Sequence, residues 1–458
     1  SIYNFVITCV TNIKEHFIDH LNYFVNVSFD LKSKLNIVNS NKKINSEKKK
    51  EQINKIYAEF RKIKFRTILT RLNSILDNDF YKITMQNAVV KLFPKQIVKY
   101  QFINRGKHHF PEGFAEELRA SVNAMAELKL TKDEKKFMAK TCPYIDLPYL
   151  DFLEGYRYDP SEVIISQNGN EVEVTVEGLW YRTILWEVPL LALISELHYE
   201  MNHLERNSNE IVIENTLEKS EKLNDLGVTY AEFGTRRRHS YKVHDLVIGS
   251  LAKKENTKFI GSSNVHFAMK YGVKPIGTHA HEWFMFHAAE YGFKMANKIA
   301  LDHWVDVYRG DLGVALSDTF TTDVFFNQFD KKFTKLFDGV RHDSGDPLEF
   351  ADKTIAHYEE NGINPLYKYI IFSDGLNLEK VEEITNYCSG KIGISFGIGT
   401  NLTNDVGLKP MNIVMKLIGV KSDNGEWIPT VKLSDEKGKY TGDPKMIELA
   451  KEFLRIKE

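Results

Sequence analysis

The sequence predicts an α/β protein, an irregular α/β barrel incomplete at seven strand–helix units, preceded by an N-terminal α+β domain. Three observations carry this. Between Tyr230 and Asn401, short apolar runs repeatedly end in polar or glycine residues, and a helical pattern follows each, as in parallel βα units. Between Ile68 and Glu187 the pattern is mixed, with alternating segments of antiparallel type. All 27 Gly, 12 Pro and 10 Met lie beyond residue 66, so the first 66 residues stand apart.

That first stretch is basic, net +7, while the remainder is net −8. With no Gly or Pro to make turns, it reads as an appendage of one or two helices or as disordered chain. Its aromatic residues do not interleave with the Lys42–Lys50 charge run, so no nucleic-acid-binding surface is expected. In the next segment, Asp79–Leu92 reads as a helix and Lys99–Asn104 as a strand. Pro111–Leu130 and Lys132–Ala139 read as helices. Val163–Gln167 and Glu171–Val176 alternate around a turn at Asn168-Gly169. Trp186–Asn202 reads as an apolar helix around Pro189.

The seven apolar runs are Ala231–Gly234, Phe259–Gly261, Pro275–Gly277, Val314–Leu316, Gly339-Val340, Tyr369–Phe372 and Ile392–Phe396. Seven successive units favour a barrel over an open doubly wound sheet. A barrel gathers its strand ends, and its chemistry, on one face. Other classes are excluded. No apolar run is long enough to span a bilayer, and no secretory signal pattern is present. Cys9, Cys142 and Cys388 are too few and too dispersed for a disulfide framework or a structural zinc site. A reducing, cytoplasmic setting is expected.

The polar residues after the strands suggest a site for a small polyanion. Gly397-Ile398-Gly399-Thr400 lets backbone N–H groups surround an anion, with Thr400 adding a hydroxyl. Arg236, Arg237 and Arg238 follow a strand, and at least one should face the site as a fork for phosphate or carboxylate. Arg341–Pro347 combines a cation, the carboxylates Asp343 and Asp346 and a tight turn. Asp318 and Asp374 also end strands, and separated carboxylates facing a phosphate loop suit Mg²⁺ held mainly through water and phosphates. In Thr278-His279-Ala280-His281-Glu282, two His at i, i+2 on a strand would point the same way. They could be a metal pair, a nucleophile or base, or a structural pair. Phosphoribosyl transfer needs this set of parts, because its cation-like transition state is stabilised by positioning and electrostatics.

Seven segments in order resemble nicotinate phosphoribosyltransferases: Leu76–Lys82, Ile184–Leu190, Glu232–Arg238, Pro275–Trp283, Arg341–Pro347, Phe372–Asp374 and Phe396–Leu402. The match spans roughly residues 68–440. It implies a type II phosphoribosyltransferase with an extension at 1–66. Residues 67–187 with 416–458 would form an α/β sandwich that the C-terminal tail rejoins, and 188–415 the barrel. It implies an enzyme that makes nicotinate mononucleotide and pyrophosphate from nicotinate and phosphoribosyl pyrophosphate, coupled to ATP hydrolysis. Mg²⁺ would accompany the nucleotide and pyrophosphate, with no dedicated protein metal site. The transiently phosphorylated histidine falls on His281. Nicotinate contacts fall on Tyr81, Thr278, His281 and Arg341, and a phosphoribosyl contact on Thr400. With the residue-level reading, His281, Asp343 and Glu232 are the expected catalytic residues. Arg236, Asp374, Gly397 and Gly399 complete the expected substrate site. The resemblance also implies a homodimer in which Tyr81 acts across the interface. Related nicotinamide enzymes carry an acidic residue in the segment matching Gly261–Asn264; Ser263 stands there here, which favours the acid as substrate. A zinc-type hydrolase using His279 and His281 is the alternative from a different class.

Overall fold

The computed structural model describes residues 71–253, 257–436 and 440–456. The expected extension at 1–66 lies outside them. The chain separates into two units, Ser1–Thr70 and Arg71–Glu458, and every described residue belongs to the second.

Each of the seven apolar runs overlaps a strand, the third at Pro275 alone: β4 (Thr229–Glu232), β5 (Phe259–Ser262), β6 (Lys274–Pro275), β7 (Val314–Leu316), β8 (Gly339–His342), β9 (Tyr369–Phe372) and β10 (Gly393–Ile398). They form one parallel sheet in the order β6-β5-β4-β10-β9-β8-β7. The sheet curls as a partial barrel, with β6 and β7 as its two edges and no ladder between them. Two side chains span this seam. Thr278 Oγ1 donates to the Val314 carbonyl at 3.2 Å, and the Leu316 N–H donates to His279 Nε2 at 3.2 Å. A strand of only two residues, Lys274-Pro275, cannot continue the ladder. The polar residues after it make the bonds instead.

The other sheet is antiparallel, in the order β12-β11-β1-β3-β2. It contains β1 (Ile97–Asn104), β2 (Val163–Asn168), β3 (Glu171–Leu179), β11 (Ile413–Lys421) and β12 (Trp427–Pro429). In β3, Val172, Val174 and Val176 are buried while Glu171 and Glu173 face solvent, the alternation of a half-buried strand. Gly169 makes the β2–β3 turn at φ +57°. The C-terminal strands β11 and β12 join this sheet through β1, so the tail returns to the strands that precede the barrel in sequence.

The helices Phe80–Leu92 and His281–Tyr291 lie where the two sheets meet. Trp180, Trp283, Phe93 and Phe286 pack there, with the Trp180 and Phe286 ring centroids 4.2 Å apart. Trp180, Trp283 and Phe286 are completely buried, each contributing about 2–3 kcal/mol by area. A second tie is polar. Buried Arg238 makes a bidentate pair with Asp77, Nη1–Oδ1 at 2.7 Å and Nη2–Oδ2 at 2.9 Å, which fixes the segment leading into Phe80–Leu92. Burial opposes the Asp77 anion, but Arg238 outweighs it and holds the carboxyl below its usual range.

Candidate active site

The carboxyl ends of the parallel strands surround a cavity of about 360 Å³, the face on which barrel chemistry is built. The loop after β4 supplies Phe233, Arg236 and Arg237. Ser263 follows β5, Arg341 and Asp343 end β8, and Ser373 and Gly375 follow β9. Gly397, Gly399, Thr400 and Asn401 come from β10 and the turn after it. Asp79 and Tyr81 enter from the start of the Phe80–Leu92 helix. Strand alternation makes part of this selection. In β8, Arg341 faces the cavity while buried His342 turns away, against Phe350 and Phe372.

Two aromatic side chains, Tyr81 and Phe233, are among the residues that line it. Gly397 is where it is partly for Phe233: a Cβ on that residue would lie 2.7 Å from the Phe233 ring. Gly234 plays a matching part, since a Cβ there would come within 2.9 Å of the Gly399 carbonyl. The β4 and β10 loops therefore close on each other only because both carry glycine. Asp79 accepts a hydrogen bond from Ser263 Oγ at 2.7 Å. Burial pushes its pKa up against the pull of Arg236.

The guanidinium groups have different surroundings. Arg341 Nε donates to Ser373 Oγ at 2.8 Å and Nη2 to Asp343 Oδ1 at 2.8 Å. Arg236 Nη1 lies 3.4 Å from Glu187. Arg237 is pushed down to about 10 by burial and by its neighbours Arg236 and Arg105. On β11, Lys416 is pushed down to about 7 by burial, Lys432 and Arg105. Mutual repulsion of this kind marks a place where positive charge is gathered ahead of an anion.

A second group of residues adjoins Arg341. His281 is the first residue of the His281–Tyr291 helix. Its Nε2 stands 3.0 Å from Asp343 Oδ2 and 3.0 Å from Lys432 Nζ, with Asp318 Oδ1 at 3.8 Å. Its Nδ1 stands 3.0 Å from Thr319 Oγ1. Burial, then Lys432, pulls the imidazole pKa below its ordinary value, which keeps a neutral, nucleophilic ring at pH 7. Burial also works against the Asp343 anion, but Arg341, His281 and Lys432 hold its carboxyl well below the usual range.

Several expectations change. Glu232 does not open onto the cavity. It is completely buried, with Ser262 Oγ at 2.6 Å, His244 Nε2 at 2.9 Å and the Gly234 N–H on its carboxylate, so it shapes the β4 loop. Arg238, the third of the arginine run, is a structural ion-pair partner. The two histidines do not share a face, because β6 ends at Pro275 and a helix begins at His281. His279 is buried, accepts a hydrogen bond across the seam and is pushed down to about 3 by burial. Thr278 also serves the seam. Asp374 sits in the β9 loop, where its neighbours Ser373 and Gly375 line the cavity. Asp346 caps the Pro347–Glu360 helix through the Leu348 and Glu349 N–H groups. Tyr81 lines the cavity of its own chain. Sequence reasoning misses four residues: Phe233, Thr319, Lys416 and Lys432.

Comparison with known proteins agrees with this arrangement. Residues 228–458 match the model of the nicotinate phosphoribosyltransferase (NAPRTase) family, and residues 76–195 match its N-terminal domain. The nicotinate phosphoribosyltransferase of Chromohalobacter salexigens is 62% identical over 385 residues, 84% of this chain and 99% of that protein. That of Desulforapulum autotrophicum is 49% identical over 81% of this chain and 96% of its own. The crystal structure of nicotinate phosphoribosyltransferase from Porphyromonas gingivalis superposes with a TM-score of 0.82 at 47% identity, covering 84% of this chain and all of that one.

Proposed function

This chain belongs to the nicotinate phosphoribosyltransferase family, and from that premise we propose how its cavity transfers the phosphoribosyl group of phosphoribosyl pyrophosphate to nicotinate. The observation that carries the residue-level reading is that aromatic side chains, Tyr81 and Phe233, and the cations Arg236, Arg237 and Arg341 line one cavity. The pyridine ring lies between Tyr81 and Phe233. Its carboxylate meets Arg341, whose Nε and Nη2 are held by Ser373 and Asp343. The phosphate of the ribose lies on the Gly397–Thr400 turn. Arg236 and Arg237 face the pyrophosphate, with Lys416 and Lys432 behind them. The ring nitrogen attacks the anomeric carbon as the bond to pyrophosphate breaks, and the cations stabilise the charge that leaves.

ATP is the third substrate in this proposal. Its terminal phosphoryl group passes to His281, and water later releases it as phosphate. Asp343 orients the imidazole, and Lys432 neutralises the added charge. The donor set also fits Mg²⁺: Asp318 Oδ1 is buried without a hydrogen bond, and His281, Asp318 and Asp343 place one donor atom each within 4.8 Å of one another. Asp318 and Asp343 would hold the ion, which supplies positive charge against the phosphates. A homodimer is also proposed. No helix among the described residues is long and apolar enough to cross a membrane. A cytoplasmic setting is proposed, supported by Cys142 and Cys388 as buried free thiols.

Assay of nicotinate mononucleotide formation, with and without ATP, tests the reading; nicotinamide turned over as fast as nicotinate would defeat it. Arg341→Ala is expected to raise KM for nicotinate by about tenfold to a hundredfold, the worth of a charge-assisted hydrogen bond, while KM for phosphoribosyl pyrophosphate changes less. An unaltered KM for nicotinate removes Arg341 from the carboxylate site.

A further inference from the structure

Lys82 is completely buried, one residue from Tyr81, and a lysine ammonium in that position requires compensating charge. Two carboxylates supply it. Glu187 Oε2 stands at 2.5 Å, and Glu282 is in direct contact with the same ammonium. Both carboxylates have second partners. Glu282 Oε1 accepts from Tyr100 OH at 3.0 Å and from Trp180 Nε1 at 3.3 Å. Glu187 Oε1 faces Arg236 Nη1 at 3.4 Å. Glu282 directly follows His281 in the first turn of its helix.

Stability alone does not account for this arrangement. A buried ion group is commonly no more stable than apolar side chains of the same volume, and its value lies in fixing one geometry. The geometry fixed here joins three working parts, Tyr81, Arg236 and His281, through one cation. We propose that Lys82 is a positioning residue for both transfer and ATP coupling, setting the Arg236 guanidinium through Glu187 and the first turn of the His281 helix through Glu282. This rests on the roles of Arg236 and His281 in the proposed function.

The test uses full-length protein and two variants. Lys82→Met/Glu282→Gln removes the bridge but leaves Glu187 and Arg236 balanced, so it avoids stranding a buried carboxylate. Folded by circular dichroism, it is expected to raise KM for phosphoribosyl pyrophosphate about tenfold and to lose most of the ATP stimulation of kcat/KM, since small displacements of positioning groups cost this much or more. Glu187→Gln keeps Lys82 with Glu282 and weakens the links from residue 187 to Lys82 and to Arg236. It should raise the same KM while ATP stimulation persists. Wild-type KM values together with wild-type ATP stimulation in the folded double variant overturn the proposal. Should the double variant not fold, an unchanged KM in Glu187→Gln overturns it. Failure of the underlying reading looks different: wild-type enzyme would then show no ATP stimulation and no phosphohistidine.

Discussion

His281→Ala enzyme is expected to form nicotinate mononucleotide at the rate the wild type shows without ATP, and to gain nothing when ATP is added. With ATP present, the deficit in kcat/KM against the wild type should be about a hundredfold, the scale of losing one positioned electrostatic group. The cavity proposed for nicotinate and the ribose does not need the imidazole. Tyr81, Phe233, Arg341 and the Gly397–Thr400 turn line it independently. Asp343 also keeps Arg341 and Ser373 as partners when His281 is gone, so the β8 end stays in place. What is lost is a neutral nitrogen base that stands among Asp318, Asp343 and Lys432. Wild-type protein treated with γ-labelled ATP should take up acid-labile label, and the variant none. ATP stimulation that survives in His281→Ala would assign the phosphoryl group elsewhere.

The strand–helix units were legible because a parallel strand is covered on both faces. It reads as a short apolar run that stops where it meets solvent, and the polar residues at the stops are the cavity wall. The direction of single side chains was not legible. Arg236, Arg237 and Arg238 are consecutive, yet the tight 3₁₀ turn Thr235–Arg237 sends the first two to the cavity and the third inward to Asp77. The His279 and His281 pair failed for a related reason. Period-two reasoning holds within a strand, and the chain leaves strand geometry before His279. Lys432 carries no local motif; its place beside His281 depends on a contact 151 residues apart in sequence. Phe233 was inside a recognised segment, but the cations next to it drew the chemical reading. Its role depends on the room left by Gly397, far along the chain.

Acidification below pH 6.5 should unfold this protein steeply. His279 and His287 are pushed down to about 3, and His198 and His239 to about 4, in each case chiefly by burial. In the unfolded chain all four return to about 6.5. Between pH 6.5 and about 4 the unfolded state therefore binds protons that the folded state refuses. Their contribution to stability is present above pH 6.5 and is lost as pH falls. Glu196 works in the opposite sense. Burial raises it to about 7, so the folded state holds a proton that the unfolded state releases above its ordinary value, and this offsets one histidine. For these five groups the balance is about three protons taken up on unfolding near pH 5.5, or roughly 4 kcal/mol per pH unit. Against a usual total of about 5–15 kcal/mol, the loss between pH 6.5 and about 4 is of the same order. Urea unfolding at pH 7.5, 6.5 and 5.5 measures the slope, and a flat free energy across that range would refute the assignment of neutral buried histidines. His287→Gln, uncharged at every pH, should remove about one proton from the slope if its ring is one of the four.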